Sequence, residues 1–211
     1  MQVAGRFFVF DGSNGAGKST VLEAIASQLR EQNYTVITTR EPGGTAIGEE
    51  IRQLLLNPQS SAMCAQTELL LFAAARAQHV REKIAPALQA GHIVLSDRFD
   101  AATVSFQHYA RGLSLNLVNT VNEVALDGFA PHLTLVFDID PVVGLQRVGA
   151  RATQDRLEAE NIAFLERARQ GYLKQAQANP KCFTVIDASQ PLVQVIAQAA
   201  AAIAPHLPFS S

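Results

Sequence analysis

One stretch constrains this chain more than any other: "RFFVFDGSNGAGKST", residues 6–20. The run "RFFVF" (6–10) is apolar at consecutive positions, so both faces need cover, as in a central parallel strand. Gly12, Gly17, Lys18 and Ser19 then match G-x-x-x-x-G-K-[ST], and "KSTVLEAIASQLREQ" (18–32) continues at helical spacing. Each residue type has a physical reason. Glycines allow the tight turn that brings backbone N–H groups against phosphate oxygens. A helix starting near Lys18 aims its positive dipole end at the same anion. Lys18 can reach the β- and γ-phosphates, and the Ser19 hydroxyl suits Mg²⁺. The loop from Gly12 through Ser13, Asn14, Gly15, Ala16, Gly17, Lys18 and Ser19 to Thr20 is therefore expected to bind a nucleoside triphosphate.

Further strands are expected at 35–39, 92–96, 132–139 and 182–188, alternating with helices at about 46–90, 100–109, 114–127, 142–179 and 191–204. The second helical region is broken at 57–63 and bent at Pro86, and the span 142–179 is interrupted at 149–160. This alternation predicts an α/β fold with a five-stranded parallel sheet covered on both faces, built as one domain over 1–211. Ligands in such sheets sit at the carboxyl ends of strands, where "DGSNGAGKS", "TREPGG", "SDRFD" and "IDASQP" fall.

Composition narrows the function classes. The 211 residues carry a formal net charge of −2, which disfavours a role holding nucleic acid by its backbone, but a small phosphorylated ligand needs only a few local cations. No run of about 18 apolar residues is present, so no membrane span is expected. The opening "MQVAGRFFVFDG" lacks the pattern of a secretory leader, and the expected location is the cytoplasm. Cys64 and Cys182 form no CxxC and are expected as reduced, partly buried thiols rather than a disulfide or metal site. The five histidines show no ligand spacing. No NKxD is present to read guanine, and "LSDRF" offers one Asp followed by Arg rather than the acidic pair of motor ATPases. An acid beside a cation at a strand end suits a site where two phosphorylated molecules meet.

The phosphate loop, "TREPGGT" (39–45) and "SDRFD" (96–100) together closely resemble bacterial thymidylate kinases. "FAAARAQH" (72–79), "TVSFQHYARG" (103–112), "DRLE" (155–158) and "IDASQP" (186–191) are similar to further blocks of that family, in its order. The resemblance implies a three-layer α/β/α P-loop NTPase fold with a short LID at about 147–160. It also implies a homodimer and γ-phosphoryl transfer from ATP to dTMP with Mg²⁺. It makes Lys18, Arg98 and Arg156 catalytic, with Arg156 as a LID finger, Arg147 near adenine and Arg151 as a weaker finger candidate. Arg40 and Arg52 would grip the acceptor phosphate of dTMP, and Pro42 would pack beside the nucleotide. Phe72 would stack on thymine, Arg76 would bond its O4, and Thr103 and Gln107 would meet its polar edge. Ser19 and Asp97 would serve the metal, Asp97 through water; alternatively Asp97 only caps the next helix. The family divides by whether an arginine sits in the phosphate loop or the LID, and "GSNGAG" has none.

Two positions depart from the family's pattern. Relatives usually carry Glu or Asp where Asn14 stands, a carboxylate that approaches the deoxyribose 3′-OH and the acceptor-side arginines. Asn14 either keeps this contact in neutral form or is only a turn residue. His108 replaces a frequent glycine and either crowds the base site or faces solvent. Two other functions stay open at this point. One is a kinase for another pyrimidine monophosphate, such as dUMP or a 5-substituted analogue; the other is a regulator that binds nucleotide without turnover.

Overall fold

The computed structural model describes residues 5–149, 156–157 and 160–208. Five strands, β1 (Arg6–Gly12), β2 (Val36–Arg40), β3 (Ile93–Asp97), β4 (Leu133–Asp138) and β5 (Phe183–Asp187), form one parallel sheet in the order β2-β3-β1-β4-β5. The helices are α1 (Lys18–Glu31), α2 (Ala46–Leu56), α3 (Ala65–His79), α4 (Ala85–Gln89), α5 (Asp100–Thr103), α6 (Leu115–Leu126), α7 (Pro141–Val148), α8 (Ile162–Ala178) and α9 (Leu192–Ile203). No helix among the described residues is long and apolar enough to cross a membrane.

Alternation along β1 divides the core. Phe8 and Phe10 pack with Val21, Leu22 and Ile25 of α1 and Val195 and Ala199 of α9. Phe7 and Val9 point the other way, onto Val80, Ile84 and Phe99. Both faces of β1 are thus buried, which is why its apolar run is unbroken. The expected three layers are present.

Two expectations need correction. The helical region around Pro86 is not uniformly α-helical: a π-helical turn at Val80–Ile84 leads directly into α4, whose first turn holds Pro86. A second π-helical segment, Val104–Ala110, carries Gln107 and follows α5 without a break. Local excess-residue turns of this kind leave no mark in hydrophobic periodicity. The second correction concerns Cys64 and Cys182, which are both exposed thiols.

The chain runs from β1 to β2 on one side, and from β3 it crosses β1 to β4 on the other, so the crevice opens at the carboxyl end of β1. The register places Phe10 beside Asp97 of β3 and Gly12 beside Phe137 of β4. The glycine loop and the Asp97–Arg98 corner therefore start as neighbours.

Candidate active site

The phosphate loop is shaped by close packing. Gly15 has φ 72°, and a Cβ there would stand 2.1 Å from the Gly144 carbonyl oxygen. No L-residue with a side chain fits that space. Gly17 caps α1 in the left-handed region at φ 79°. Lys18, 7% exposed, folds back so that Nζ donates to the Ser13 carbonyl at 2.8 Å. At the loop's mouth the Ser19 hydroxyl donates to Asp97 Oδ2 at 2.7 Å.

Arg98 is held at several points. Its backbone sits at φ 70°, a left-handed conformation that costs an arginine about 1–2 kcal/mol. Its Nη1 donates at 3.0 Å to Asp11 Oδ1, to the Gly12 carbonyl and to the Tyr172 hydroxyl oxygen. Nη2 donates to Asn14 Oδ1. The Tyr172 hydroxyl in turn donates to Asp11 Oδ1 at 2.6 Å. Burial alone would lower the Arg98 pKa, but Tyr172, Asp11 and Asp97 outweigh it and raise it. Burial is also the largest influence on Asp11 and raises its pKa, against the pull of Arg98, Tyr172 and Lys18. The guanidinium is thus permanently charged, aimed from β3 and held by partners on β1, the loop and α8.

Above the loop lies a cavity of about 320 Å³. Its floor comprises Asn14, Gly15, Gly17, Lys18, Ser19 and Thr20. Its walls bring in Arg40, Arg52 and Arg147, and the corner residues Asp97 and Arg98. Five cationic side chains face two carboxylates (Glu41 and Asp97), so the cavity is locally positive on a chain of net charge −2. The lining also includes the apolar Pro42, Phe72 and Phe106, together with Thr103 and Gln107. Thr103 Oγ1 is buried and has no hydrogen-bond partner among the described residues. A polar atom left unpaired in a cavity wall costs about 1–3 kcal/mol, and a ligand that bonds to it recovers that cost. A charged floor and a flat apolar pocket with polar edges suit a phosphate joined to a base.

The thymidylate kinase family model matches residues 10–199. The chain belongs to the thymidylate kinase family. It is 47% identical over 201 residues to the thymidylate kinase of Geobacillus sp. (strain WCH70), covering 94% of this chain and 96% of that one. It is 48% identical over 193 residues to the thymidylate kinase of Pseudomonas savastanoi pv. phaseolicola, covering 92% of each. The thymidylate kinase of Bacillus pumilus is 43% identical over 195 residues, again with 92% of each chain covered.

Against the family's expected site, the structure gathers Asn14, Lys18, Ser19, Arg98 and Asp97 with Arg40, Pro42, Arg52, Phe72, Thr103, Gln107 and Arg147 around one cavity. Gly12, Ser13 and Ala16 shape the loop without lining that cavity. Two expected residues stand elsewhere. Arg76 is 1% exposed and outside the lining: Nε donates to Glu41 at 2.8 Å, Nη1 to Asn122 at 2.8 Å and Nη2 to the Phe99 carbonyl at 3.0 Å. Helical spacing put it on the Phe72 face, but buried Glu41 draws the guanidinium inward. Arg156 is also outside the lining, with Nε donating to the Leu55 carbonyl at 2.8 Å and Nη2 2.5 Å from Glu68 Oε2. In this arrangement it is tied to α2 and α3 rather than reaching over the phosphate loop. Arg151 lies outside the described residues. His108 does neither thing expected of it: Nδ1 donates to the Leu113 carbonyl at 2.7 Å, and the half-buried ring stays clear of the cavity.

Asp11, Tyr172 and Glu68 were not singled out by sequence reasoning. Asp11 ends an apolar strand, a signal that existed. Tyr172 and Glu68 sit in ordinary helical patterns, and their partners lie 161 and 39 residues away.

Proposed function

We propose that this cavity is where ATP and dTMP meet and the γ-phosphoryl group passes to the dTMP phosphate, giving ADP and dTDP. The observation that carries the reading is the fixed Arg98 guanidinium between the phosphate loop and the apolar pocket. Phosphoryl transfer is mainly positioning and charge neutralisation, and one well-placed arginine can contribute ~10³–10⁵ in rate. Lys18 leaves the Ser13 carbonyl to hold the β- and γ-phosphates on the loop's N–H groups. Arg98 bridges the acceptor phosphate and the transferred group, with Arg40 and Arg52 on the acceptor side. Phe72 stacks on thymine while Thr103 and Gln107 meet its polar edge, and Arg147 borders the donor side. In-line attack needs no covalent intermediate.

The residues at the loop's mouth fit Mg²⁺. A hydroxyl and a carboxylate in contact provide hard oxygen donors, and Mg²⁺ retains water on its remaining positions. Ser19 would hold the ion directly and Asp97 through its water. When bound, the ion neutralises charge on the β- and γ-phosphate oxygens.

The whole chain is read as one catalytic unit, acting in the cytoplasm, where exposed thiols such as Cys64 and Cys182 stay reduced. It works as a homodimer. Supporting this, α3 packs between α2 and α6, and these helices expose Ile47, Leu54, Leu70, Leu117 and Val124. The test of function is ADP release with each nucleoside monophosphate in turn. Mg²⁺-dependent turnover of dTMP is expected, and turnover of dAMP or GMP with none of dTMP would reject the reading.

A further inference from the structure

Glu68 is a charged side chain that lies outside the cavity yet touches its lining. It stands on α3 one helical turn before Phe72 and is 1% exposed. Oε1 accepts from Gln107 Nε2 at 2.9 Å and from Arg111 Nε at 3.1 Å. Oε2 accepts from Arg111 Nη2 at 3.1 Å and pairs with Arg156 Nη2 at 2.5 Å. Burial would raise its pKa, but Arg111, Gln107 and Arg156 overcome this and hold it below the ordinary glutamate range. The group is therefore a carboxylate at neutral pH, held by two arginines.

An ionised carboxylate only accepts hydrogen bonds. The Gln107 carboxamide has one donor end and one acceptor end, and only the NH₂ end can face Glu68. The oxygen end is then left to the cavity that Gln107 lines. An alternative partner, such as a second amide, would permit either orientation. We infer that Glu68 is a positioning residue for the acceptor base: held by Arg111 and Arg156, it turns the Gln107 carboxamide so that an acceptor oxygen faces the base.

The consequence is selectivity between base edges, and it rests on the reading of the cavity as the dTMP site. Thymine offers an N3–H donor between two carbonyls. An acceptor oxygen on Gln107 suits that donor, and the unpaired Thr103 hydroxyl can serve a carbonyl. A 4-aminopyrimidine presents a lone pair at N3, which the fixed oxygen repels. A site with a committed hydrogen-bond polarity rejects the wrong edge far more strongly than an apolar pocket rejects a methylene. Without the carboxylate, Gln107 can rotate and offer its NH₂ end instead.

The test measures kcat/KM for dTMP and for 5-methyl-dCMP, which differs from dTMP only by its 4-amino group and unprotonated N3. Wild type, Glu68→Gln, Arg111→Lys and Gln107→Leu are compared. Glu68→Gln is expected to lower the dTMP preference by at least about tenfold, with KM for ATP unchanged. Arg111→Lys, which loosens the same carboxylate, should shift the preference in the same direction. A purely structural Glu68 would lower the active fraction, so both substrates would fall in proportion and the preference would stay fixed. That result, with Gln107→Leu lowering the preference, overturns the inference alone. If wild type does not turn over dTMP, or Gln107→Leu leaves the preference unchanged, the base-site reading fails and the inference falls with it.

Discussion

Tyr172→Phe isolates the hold on Arg98. The hydroxyl is buried, donates to Asp11 Oδ1 at 2.6 Å and accepts from Arg98 Nη1 at 3.0 Å. Phenylalanine keeps the ring and its edge contact with Phe106, so no cavity opens. A hydrogen bond to a charged group contributes about 1.5–3 kcal/mol, and relief from burying a hydroxyl offsets part of it. A net loss of about 1–2 kcal/mol should lower Tm by roughly 2–8 °C in a chain of this size. The guanidinium keeps Asp11, the Gly12 carbonyl and Asn14, so the full ~10³–10⁵ contribution of an arginine is not at risk. Looser aim should cost roughly tenfold in kcat/KM for dTMP, about 1.4 kcal/mol of transition-state stabilisation. Lys18 and the loop amides are untouched, so KM for ATP should stay constant. Steady-state kinetics with each substrate varied, beside a thermal melt, reads all three quantities. A lowered Tm with unchanged dTMP kinetics would refute the reasoning, because Tyr172 would then be a core residue with no part in aiming Arg98.

Asn14→Asp places a negative charge against Arg98 and should change KM or kcat for dTMP by about fivefold or more, with ATP binding little affected. Unaltered kinetics for both substrates would reduce Asn14 to a turn residue. Arg156→Gln removes one of two cations from buried Glu68 and should lower Tm by several degrees, with far less loss of kcat than Arg98→Ala. A kcat loss of ~10³ at constant Tm would instead make Arg156 a catalytic finger. Glu68 titrates below its ordinary 4.5 in the folded state, so its stabilisation is complete above about pH 4.5 and is lost as pH falls through the folded value. The difference in urea stability between wild type and Glu68→Gln should hold steady near neutrality and shrink in acid; a difference independent of pH would contradict the ion-pair account.

The sheet and the phosphate loop were legible in the sequence because their signals are local. Five apolar runs, each followed by a polar turn, located every strand to within about two residues, and an eight-residue motif marked the phosphate loop. Most expected acceptor residues were legible only through the ordered motifs of a family, since nothing local distinguishes Phe72 from a core aromatic. Arg76 and Arg156 show where that route stops. Spacing assigns a face of a helix, but a guanidinium on a long stem goes to whichever buried carboxylate is within reach. For Arg76 that carboxylate is Glu41, and for Arg156 it is Glu68. Asn14 shows the opposite case: its Oδ1 accepts from Arg98, so of the contacts expected of a carboxylate there it keeps the one to an arginine. Asp11–Tyr172 and Glu68–Gln107 could not be read in advance, because such pairs are defined only once β1 meets α8 and α3 meets the π-helical segment.

A crystal structure of the chain with bound dTMP tests the central claim most directly. The account predicts thymine against Phe72, its polar edge at Thr103 and Gln107, and its phosphate on Arg98. Density for dTMP outside this cavity, or with the phosphate turned away from Arg98, would contradict it.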